Sequence, residues 1–194
     1  MANSVIAGAG PLSSVSADAA NDVWAVGEAG NGGAPLLHFN GTTWTEVPSP
    51  LLHANSVTAL SPTNAWAVGT ISVFAGDRQH TKPAIEHWDG TSWSIVSSPN
   101  PNRVPTNDTA LYGIAAVSAN DIWAVGAGNF STISGTATLI EHWDGTSWTI
   151  VSSPDPGNAS NSLSGVTTLS DGTVVAVGSQ TNQGTDATPL ILRN

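Results

Sequence analysis

The chain has 194 residues, with 14 acidic and 4 basic residues, and its formal net charge at pH 7 is -10. Because such a molecule repels phosphate backbones and anionic lipids alike, nucleic acid and membrane surfaces are excluded as expected partners. The chain contains no cysteine, so neither disulfide bonds nor thiolate chemistry contribute, and its length fits one domain of ordinary size.

The N-terminal residues lack the pattern of a secretory signal peptide. Met1 to Ser4 contain no basic residue, and Val5 to Gly10 are too short and too rich in glycine for an apolar h-region. Few Lys and Arg residues combined with many Ser, Thr, Asn and Gly are typical of secreted β proteins. We therefore expect an extracellular protein in its mature form.

One short motif recurs along the chain and marks its period. It reads DVWAVG at Asp22 to Gly27, NAWAVG at Asn64 to Gly69, DIWAVG at Asp121 to Gly126 and, in degraded form, TVVAVG at Thr173 to Gly178. Successive copies lie 42, 57 and 52 residues apart, and periods of roughly 40 to 50 residues indicate propeller blades or similar arrays. The motif therefore predicts four repeated units.

A second repeated segment comes after the first motif and reads as a β-hairpin. Glu86 to Pro99 returns almost unchanged as Glu141 to Pro154, and a diluted copy spans Leu36 to Pro48. In each copy two β-prone runs flank an Asp-Gly or Asn-Gly pair, which supplies the positive φ angles of a tight turn. Each unit thus contains four strands, termed a to d in chain order, and no helix.

These repeats predict a single all-β domain over residues 1–194, a β-propeller of four four-stranded blades. The blades span about residues 12–54, 55–108, 109–160 and 161–194. The last one contains strand a at Leu163 to Leu169, strand b at Thr173 to Gly178 and strand c at Pro189 to Arg193, but no strand d.

The missing strand is expected to come from the other end of the chain. Residues 3–8 precede the first strand a and belong to no other blade, so they are predicted to complete the fourth blade and close the ring. Deleting Met1 to Ala9 should then lower the stability sharply. The alternative is a homodimer of two half-rings that form eight blades and exchange this strand.

The repeat resembles the kelch family of β-propellers. In that family a strand ending in glycines is followed by a strand with an aromatic residue, then by a strand that begins with Trp and is followed by proline. Here Val26-Gly27, Phe39, Trp44 and Pro48 take these places, and the next two units repeat them. The chain departs from the family in having Val-Gly for the double glycine, and four blades where six or seven are usual.

Residues that recur in every blade are interpreted as structural. The tryptophans of strands b and d are expected to fill the space between neighbouring sheets. His38, His87 and His142 occupy one place on strand c, and equivalent residues of different blades should lie more than about 10 Å apart, too far to share a metal ion. We expect a neighbouring strand, Glu86 or Glu141 to hold these imidazoles.

No motif for catalysis is present in the sequence. There is no G-x-S-x-G, H-E-x-x-H or P-loop pattern, and no cofactor or metal site is predicted. Asp89 and Asp144 are assigned to turns, as are Asp22 and Asp121 at the start of strand b. A propeller-type polysaccharide lyase or hydrolase remains an alternative, because acidic residues on the loops are available.

The connections that differ between blades are the candidates for binding. The b-to-c and d-to-a connections open on one face of a propeller, and the second blade has the longest, a loop predicted from Thr70 to Pro83. It forms a locally positive spot on an acidic molecule, which suits a glycan or protein ligand. The predicted binding residues are Phe74, Asp77, Arg78, His80, Asn102, Arg103 and Phe130. The predicted function is non-catalytic binding; the alternatives are self-association of a half-propeller and a polysaccharide lyase or hydrolase.

Overall fold

A computed structural model of the chain describes residues 10–28, 36–75, 77–101, 109–129 and 135–194, with residues 75 and 78 described by their backbone only. These residues form fifteen β-strands and no helix. No segment described there is a helix of the length and apolar character that a membrane crossing needs. The predicted N-terminal strand, residues 3–8, lies outside the described residues.

The strands form four antiparallel sheets in chain order. The first contains β1 (Leu12–Ala19), β2 (Asp22–Gly27), β3 (Leu36–Phe39) and β4 (Trp44–Val47). The second contains β5 (His53–Ser61), β6 (Asn64–Ala75), β7 (Arg78–Trp88) and β8 (Trp93–Val96). The third contains β9 (Thr109–Ser118), β10 (Asp121–Gly128), β11 (Ala137–Trp143) and β12 (Trp148–Ile150), and the fourth contains β13 (Ser160–Thr168), β14 (Val174–Thr181) and β15 (Thr188–Arg193).

Each sheet is a propeller blade, which confirms the predicted fold class. Every blade pairs its strands in sequence order, and the first strands of successive blades pack side by side, β1 against β5, β5 against β9 and β9 against β13. Strands β13 and β1 do not pack against each other in this way, although both lie within the described residues. The fourth blade has three strands in the described part of the chain, where the first three have four.

The described residues form three apolar core clusters, one at each junction between successive blades. The strand that begins with the recurring motif contributes to both sides, because alternate side chains point to opposite faces of a sheet. Trp24 and Val26 thus face the second blade, whereas Ala65 and Ala67 of that blade face back to the first. The face of a blade toward the next blade is termed its front face, and the face toward the previous blade is termed its back face.

The glycine that ends the motif is required by a close backbone approach. A Cβ atom on Gly69 would lie 1.8 Å from the carbonyl oxygen of His53, and one on Gly126 would lie 2.0 Å from that of Ala110. The register of strand a shifts beside this glycine in each blade. Any side chain at this position would therefore push strand a away from strand b.

The predicted loop from Thr70 to Pro83 is wrong: this segment is a regular extension of β6 and β7. The two strands stay paired from Thr70 opposite Pro83 to Ala75 opposite Arg78, with residues 76 and 77 between them. Residues 70 to 73 alternate polar and apolar side chains, and Thr70, Ile71, Val73 and Phe74 have high β-propensity, which suits an extended ribbon. Pro83 is tolerated because β8 pairs with β7 only from Ile85 onward, so Pro83 lies where β7 is an edge strand.

Candidate functional site

The extended hairpin of β6 and β7 places part of the predicted binding site at its tip. Phe74 is 75% exposed, and Asp77 is exposed beside the turn. Across the ribbon, the amide of Gln79, opposite Phe74, donates a hydrogen bond of 2.6 Å to the hydroxyl of Ser72. The tip is therefore an ordered β-ribbon that ends in an exposed aromatic ring.

The register separates the predicted binding residues of the hairpin onto two faces. His80 lies opposite Val73 and Lys82 lies opposite Ile71, so both lie on the face away from Phe74. The Nε2 atom of His80 is buried and has no hydrogen-bond partner in the described structure. The two basic side chains thus share one face, whereas the phenyl ring occupies the other.

The other predicted site residues fall outside what the structure describes. Asn102, Arg103 and Phe130 lie in undescribed segments, and Arg78 is described by its backbone only, at the register position opposite Ala75. The predicted positive spot is therefore represented by His80 and Lys82 alone in the described residues.

The three histidines of strand c are held by residues of the neighbouring strand b, which was one of the predicted alternatives, and not by Glu86 or Glu141. His38 Nε2 lies 2.5 Å from Asp22 Oδ1, and His142 Nε2 lies 2.8 Å from Asp121 Oδ1. His87 makes the same contact at 3.0 Å with Asn64, the residue at the equivalent position. Asp22 and Asp121 lie beside strand c because β2 and β10 begin next to the C-terminal ends of β3 and β11.

Each of these imidazoles also covers the tryptophan of strand b. The ring centroids are 4.4 Å apart for Trp24 and His38, 4.4 Å for Trp66 and His87, and 4.2 Å for Trp123 and His142. A histidine that is hydrogen-bonded on one side and stacked on a face is a packing element. No group of three or more metal-ligating side chains occurs among the described residues.

Two glutamates are buried at the junctions between blades, which the sequence did not indicate. Glu86 and Glu141 are both 0% exposed, and burial raises the pKa of each carboxyl from 4.5 to about 8. The hydroxyl of Ser49, from the previous blade, contacts both carboxylate oxygens of Glu86 at 2.9 and 2.8 Å. The nearby Ser98 acts to lower the pKa of Glu141, against the effect of burial. Neither carboxylate oxygen of Glu141 has a hydrogen-bond partner of normal geometry in the described structure.

Comparison between blades gives the signal that would have revealed these glutamates. They pair with Ala67 and Ala124 on strand b, and the residues at the same position in the first and fourth blades are Leu37 and Leu192. A position that accepts leucine in two of four repeats faces the core.

The tryptophans differ in how far the next blade covers them. Trp24 lies 4.9 Å from Trp88 and 5.0 Å from Trp93 between ring centroids, and it is 1% exposed. Trp66 is enclosed in the same way by Trp143 at 5.0 Å and Trp148 at 5.7 Å. In both junctions the covering pair comes from the end of strand c and the start of strand d of the following blade.

The third junction lacks this covering pair in the described structure. Asn194 takes the place of the strand-c tryptophan beside Val174, and no described strand d comes after it. Trp123 is half-buried and borders an open pocket of about 370 Å³, termed the Trp123 slot. The slot is lined on one side by the third blade and on the other by Val174, Ala176, Leu192 and Asn194.

No described residue covers the front face of the fourth blade in the way that the next blade covers the other three. Val177 is 44% exposed and Ile191 is 68% exposed. Their counterparts on the front face of the second blade, Val68 and Ile85, are both 0% exposed. Within the described residues, the last blade therefore exposes a surface whose counterpart in the second blade is covered by the third.

Comparisons with known proteins report on the fold. No family model and no curated protein matches the chain. Among solved structures, it is similar to YCF48 bound to D1 peptide, with 18% identity and a TM-score of 0.49 over 86% of this chain and 45% of that one. It is also similar to a GH43 endo-arabinanase from Bacillus licheniformis, with 16% identity and a TM-score of 0.48 over 93% of this chain and 69% of that one. The chain thus spans less than half the length of the first of these structures.

Proposed function

We propose that the protein is an extracellular, kelch-like binding module without catalytic activity, which recognises a glycan or a protein through the end of the propeller that carries the β6 and β7 hairpin. The observation that carries the proposal is the 75% exposed ring of Phe74 at the tip of this ordered ribbon. An aromatic ring held on a rigid ribbon gains contact area at little entropic cost, as in the anchors of binding surfaces.

The charge of the hairpin supports the same function. His80 and Lys82 lie together on the opposite face of the ribbon, in a chain with only 4 Lys and Arg residues and a net charge of -10. A local basic group on an acidic molecule attracts an anionic group of a ligand, such as a uronate or an acidic side chain. The ring and the basic face can contact two parts of one ligand that wraps the ribbon.

The alternative of a polysaccharide lyase or hydrolase requires a proton donor that a polymer can reach. Burial raises the pKa of the Glu86 and Glu141 carboxyls to about 8, within the working range of a general acid. Both are fully enclosed between blades. This placement favours binding over hydrolysis as the function.

We expect Phe74→Ala to weaken ligand binding at least about tenfold, because truncating an anchoring aromatic side chain typically costs more than about 1.4 kcal/mol. The combined Arg78, His80 and Arg103 to Ala variant should have a similar effect. Wild type and variants would be compared on a glycan array and by titration with any glycan found. Leu169→Ala is the control, since Leu169 is 47% exposed at a turn joining strands a and b, at the opposite end of the propeller. Equal binding by all variants would remove the hairpin as the site.

A second function, self-association, is favoured by the uncovered front face of the fourth blade. The exposed Val177 and Ile191 suit a second copy of the chain, whose first blade presents its own uncovered back face, including Val15 at 67% exposure. Two half-rings joined in this way would bury both ends, as the homodimer alternative requires.

Self-association predicts a particle of twice the 19.7 kDa chain mass in light scattering after gel filtration. Ile191→Glu should return the protein to the monomer mass, because a carboxylate would be buried in the contact. Ile150→Glu is the matched control, since Ile150 is 45% exposed on β12, an outer strand of the third blade. A wild-type monomer at high protein concentration would argue against this function.

A further inference from the structure

We propose that Tyr112 and Asn55 form a sugar subsite near the propeller axis, which takes one uncharged sugar unit of a glycan bound at the end that carries the β6 and β7 hairpin. This inference rests on the proposed function and deepens it, because it names the ligand as a glycan and assigns a second contact to it. Asn55 lies on β5 and Tyr112 on β9, the first strands of the second and third blades.

The first strand of each blade contains one extra residue beside the end of the recurring motif. The register skips Ser13 in β1, Asn55 in β5, Tyr112 in β9 and Ser164 in β13. Such a β-bulge re-aims the side chain of the extra residue, and bulges are frequent next to functional sites. Because the first strands pack side by side around the axis, the four residues occupy one level near it, at the end where strand b leads into the b-to-c connection.

At the first two junctions the extra residue connects one blade to the next. The hydroxyl of Ser13 donates a hydrogen bond of 2.9 Å to the carbonyl oxygen of Ala54, the residue before the bulge of the second blade. The amide of Asn55 donates one of 2.7 Å to the carbonyl oxygen of Leu111, the residue before the bulge of the third blade. A contact between blades therefore explains a small polar side chain at this position.

Tyr112 does not have this structural role at the third junction. Its hydroxyl makes no hydrogen bond within the described part of the chain, and the residue is 40% exposed. The strands β5 and β13 pack against β9 from the two sides, so this exposure arises inside the array of blades and not at either end of it. A large aromatic residue stands here where the other blades have serine or asparagine, and differences between repeated units are where ligand contacts are expected.

The hydrogen bond to Leu111 brings the side-chain amide of Asn55 beside the backbone of Tyr112. Because the amide nitrogen donates there, the Oδ1 atom is left as an acceptor, with no partner among the described residues. The pair thus offers an aromatic ring, a hydroxyl and an amide oxygen. A sugar ring presents an apolar C–H face bordered by hydroxyl groups, which match the ring and the two polar groups respectively.

The strands around this pair favour an uncharged ligand. The four first strands contain no lysine or arginine, and their acidic residue is Asp18, at the opposite end of β1. Apart from His53, they offer no basic group to a carboxylate and, at the level of Tyr112, no carboxylate to a cation. Charged peptide side chains would thus lose hydration without gaining a counter-charge, whereas a sugar hydroxyl would not.

Phe74 lies on the same side of the second blade as Tyr112. Val68 of β6 packs at the junction with the third blade, and Phe74 is on the same face of the strand because an even number of residues separates the two. This face is directed toward the third blade, which carries Tyr112. A glycan several units long can therefore contact Tyr112 near the axis and Phe74 at the tip of the hairpin.

The test uses the fact that Tyr112 is the only tyrosine in the chain. The full chain would be produced with meta-fluorotyrosine, and its one fluorine resonance followed by NMR during titration with neutral gluco-, galacto-, manno- and xylo-oligosaccharides. Each would be added to about 10 mM, which exceeds even a weak dissociation constant of about 1 mM. We expect at least one of them to shift the resonance saturably, and no shift with any of them would overturn the proposal.

Variants identify the two contacts by calorimetric titration with the oligosaccharide that shifts the resonance. Tyr112→Ala should weaken binding at least about tenfold. Asn55→Ser should also weaken it, because it removes the amide acceptor, while a serine keeps the contact between blades as Ser13 does. Val117→Ala is the matched control, since Val117 is 37% exposed near the opposite end of the same strand. Equal binding by Tyr112→Ala and Val117→Ala would exclude Tyr112 as a contact.

Further outcomes separate this inference from the proposed function. If a tryptic digest of casein shifts the resonance and no oligosaccharide does, the ligand is a protein, and the binding function stands without the sugar subsite. If an oligogalacturonate alone shifts it, the assigned preference for an uncharged unit is wrong. If Phe74→Ala abolishes binding to a glycan array and Tyr112→Ala leaves it unchanged, the hairpin binds without this subsite, and the inference fails alone.

Discussion

Trp66→Ala is expected to lower the free energy of unfolding by about 3 to 5 kcal/mol, near the upper end for a single substitution in a core. Trp66 is 4% exposed and lies between two indoles of the third blade, so its removal leaves a cavity that the stiff sheets cannot close. Trp24→Ala should have a similar effect, since Trp24 is enclosed in the same way. Denaturant unfolding followed by circular dichroism measures the loss.

Trp123→Ala is the matched control, because it removes the same residue type at the same place in the next blade. Trp123 is half-buried and already borders an open pocket of about 370 Å³. The expected loss is about 1 to 2 kcal/mol, since fewer contacts are broken and less new cavity is created. If Trp123→Ala costs as much as Trp66→Ala, the slot is filled in solution by a segment outside the described residues.

The outer hairpins could be predicted because their turns depend on local chemistry. Gly90 and Gly145 have φ angles of 95° and 92°, which only glycine adopts readily. The carboxylates of Asp89 and Asp144 accept hydrogen bonds from backbone N–H groups two and three residues later, at 2.8 to 2.9 Å. These bonds lower the pKa of both aspartates. These turn conformations depend on residues only a few positions apart, so the hairpins can be predicted from the sequence alone.

The extended hairpin was missed because its sequence carries two conflicting signals. Residues 70 to 73 alternate polar and apolar side chains as a strand does, but the charged residues and Pro83 that come next are typical of a loop. The conflict is decided by tertiary context, since Pro83 is harmless only where no strand pairs with that side of β7. Such an edge cannot be identified before the length of β8 is known.

The burial of Glu86 and Glu141 was missed for a different reason. Both belong to the two nearly identical copies of the repeated segment, whereas the signal lies in the more divergent first and fourth blades, which have Leu37 and Leu192 at this position. By residue type, the neighbouring Trp88 and Trp143 are the better core candidates, but both are only half-buried, whereas the glutamates are fully buried. The register across two sheets, which places the carboxyls against the previous blade, is a property of the assembled fold.

These glutamates lead to the second large effect, a stability that falls as the pH rises. Burial raises the pKa of each carboxyl from 4.5 to about 8 in the folded protein. Between these values the unfolded chain has lost the proton that the folded chain still holds, so unfolding releases a proton. The contribution of each glutamate to stability should therefore be largest below about pH 4.5 and decline up to about pH 8, by at most on the order of 1.4 kcal/mol per pH unit.

Replacement of either glutamate by leucine should remove its share of this decline. Leucine stands at the same position in the first and fourth blades, where Leu37 is 3% exposed and Leu192 packs against the core of the third junction. At pH 9, Glu141→Leu is expected to be more stable than the wild type by about 2 kcal/mol or more, because replacing a buried charge by an apolar side chain of similar volume is commonly stabilising.

The measurement is denaturant unfolding at intervals from pH 5 to pH 9 for the wild type, both leucine variants and both Glu→Gln variants. Glutamine keeps the shape and cannot ionise, so it separates the effect of charge from that of packing. Glu46→Gln is the control, because Glu46 is exposed on β4. Parallel pH profiles for the wild type and the Glu86 and Glu141 variants would show that both carboxyls ionise freely and that the junctions open in solution.

The two junctions should respond unequally, because Ser49 lies within hydrogen-bonding distance of Glu86, whereas Ser98 lies near Glu141 without a hydrogen bond of normal geometry. The Ser49 hydroxyl contacts both oxygens of Glu86, and the same hydroxyl oxygen accepts a hydrogen bond from the backbone N–H of Leu51 at 3.0 Å. Glu86→Leu leaves this hydroxyl without its acceptor, which offsets part of the gain. Glu141 has no such contact in the described structure. Glu141→Leu should therefore stabilise the protein more than Glu86→Leu at every pH, and the reverse order would contradict the assigned contacts.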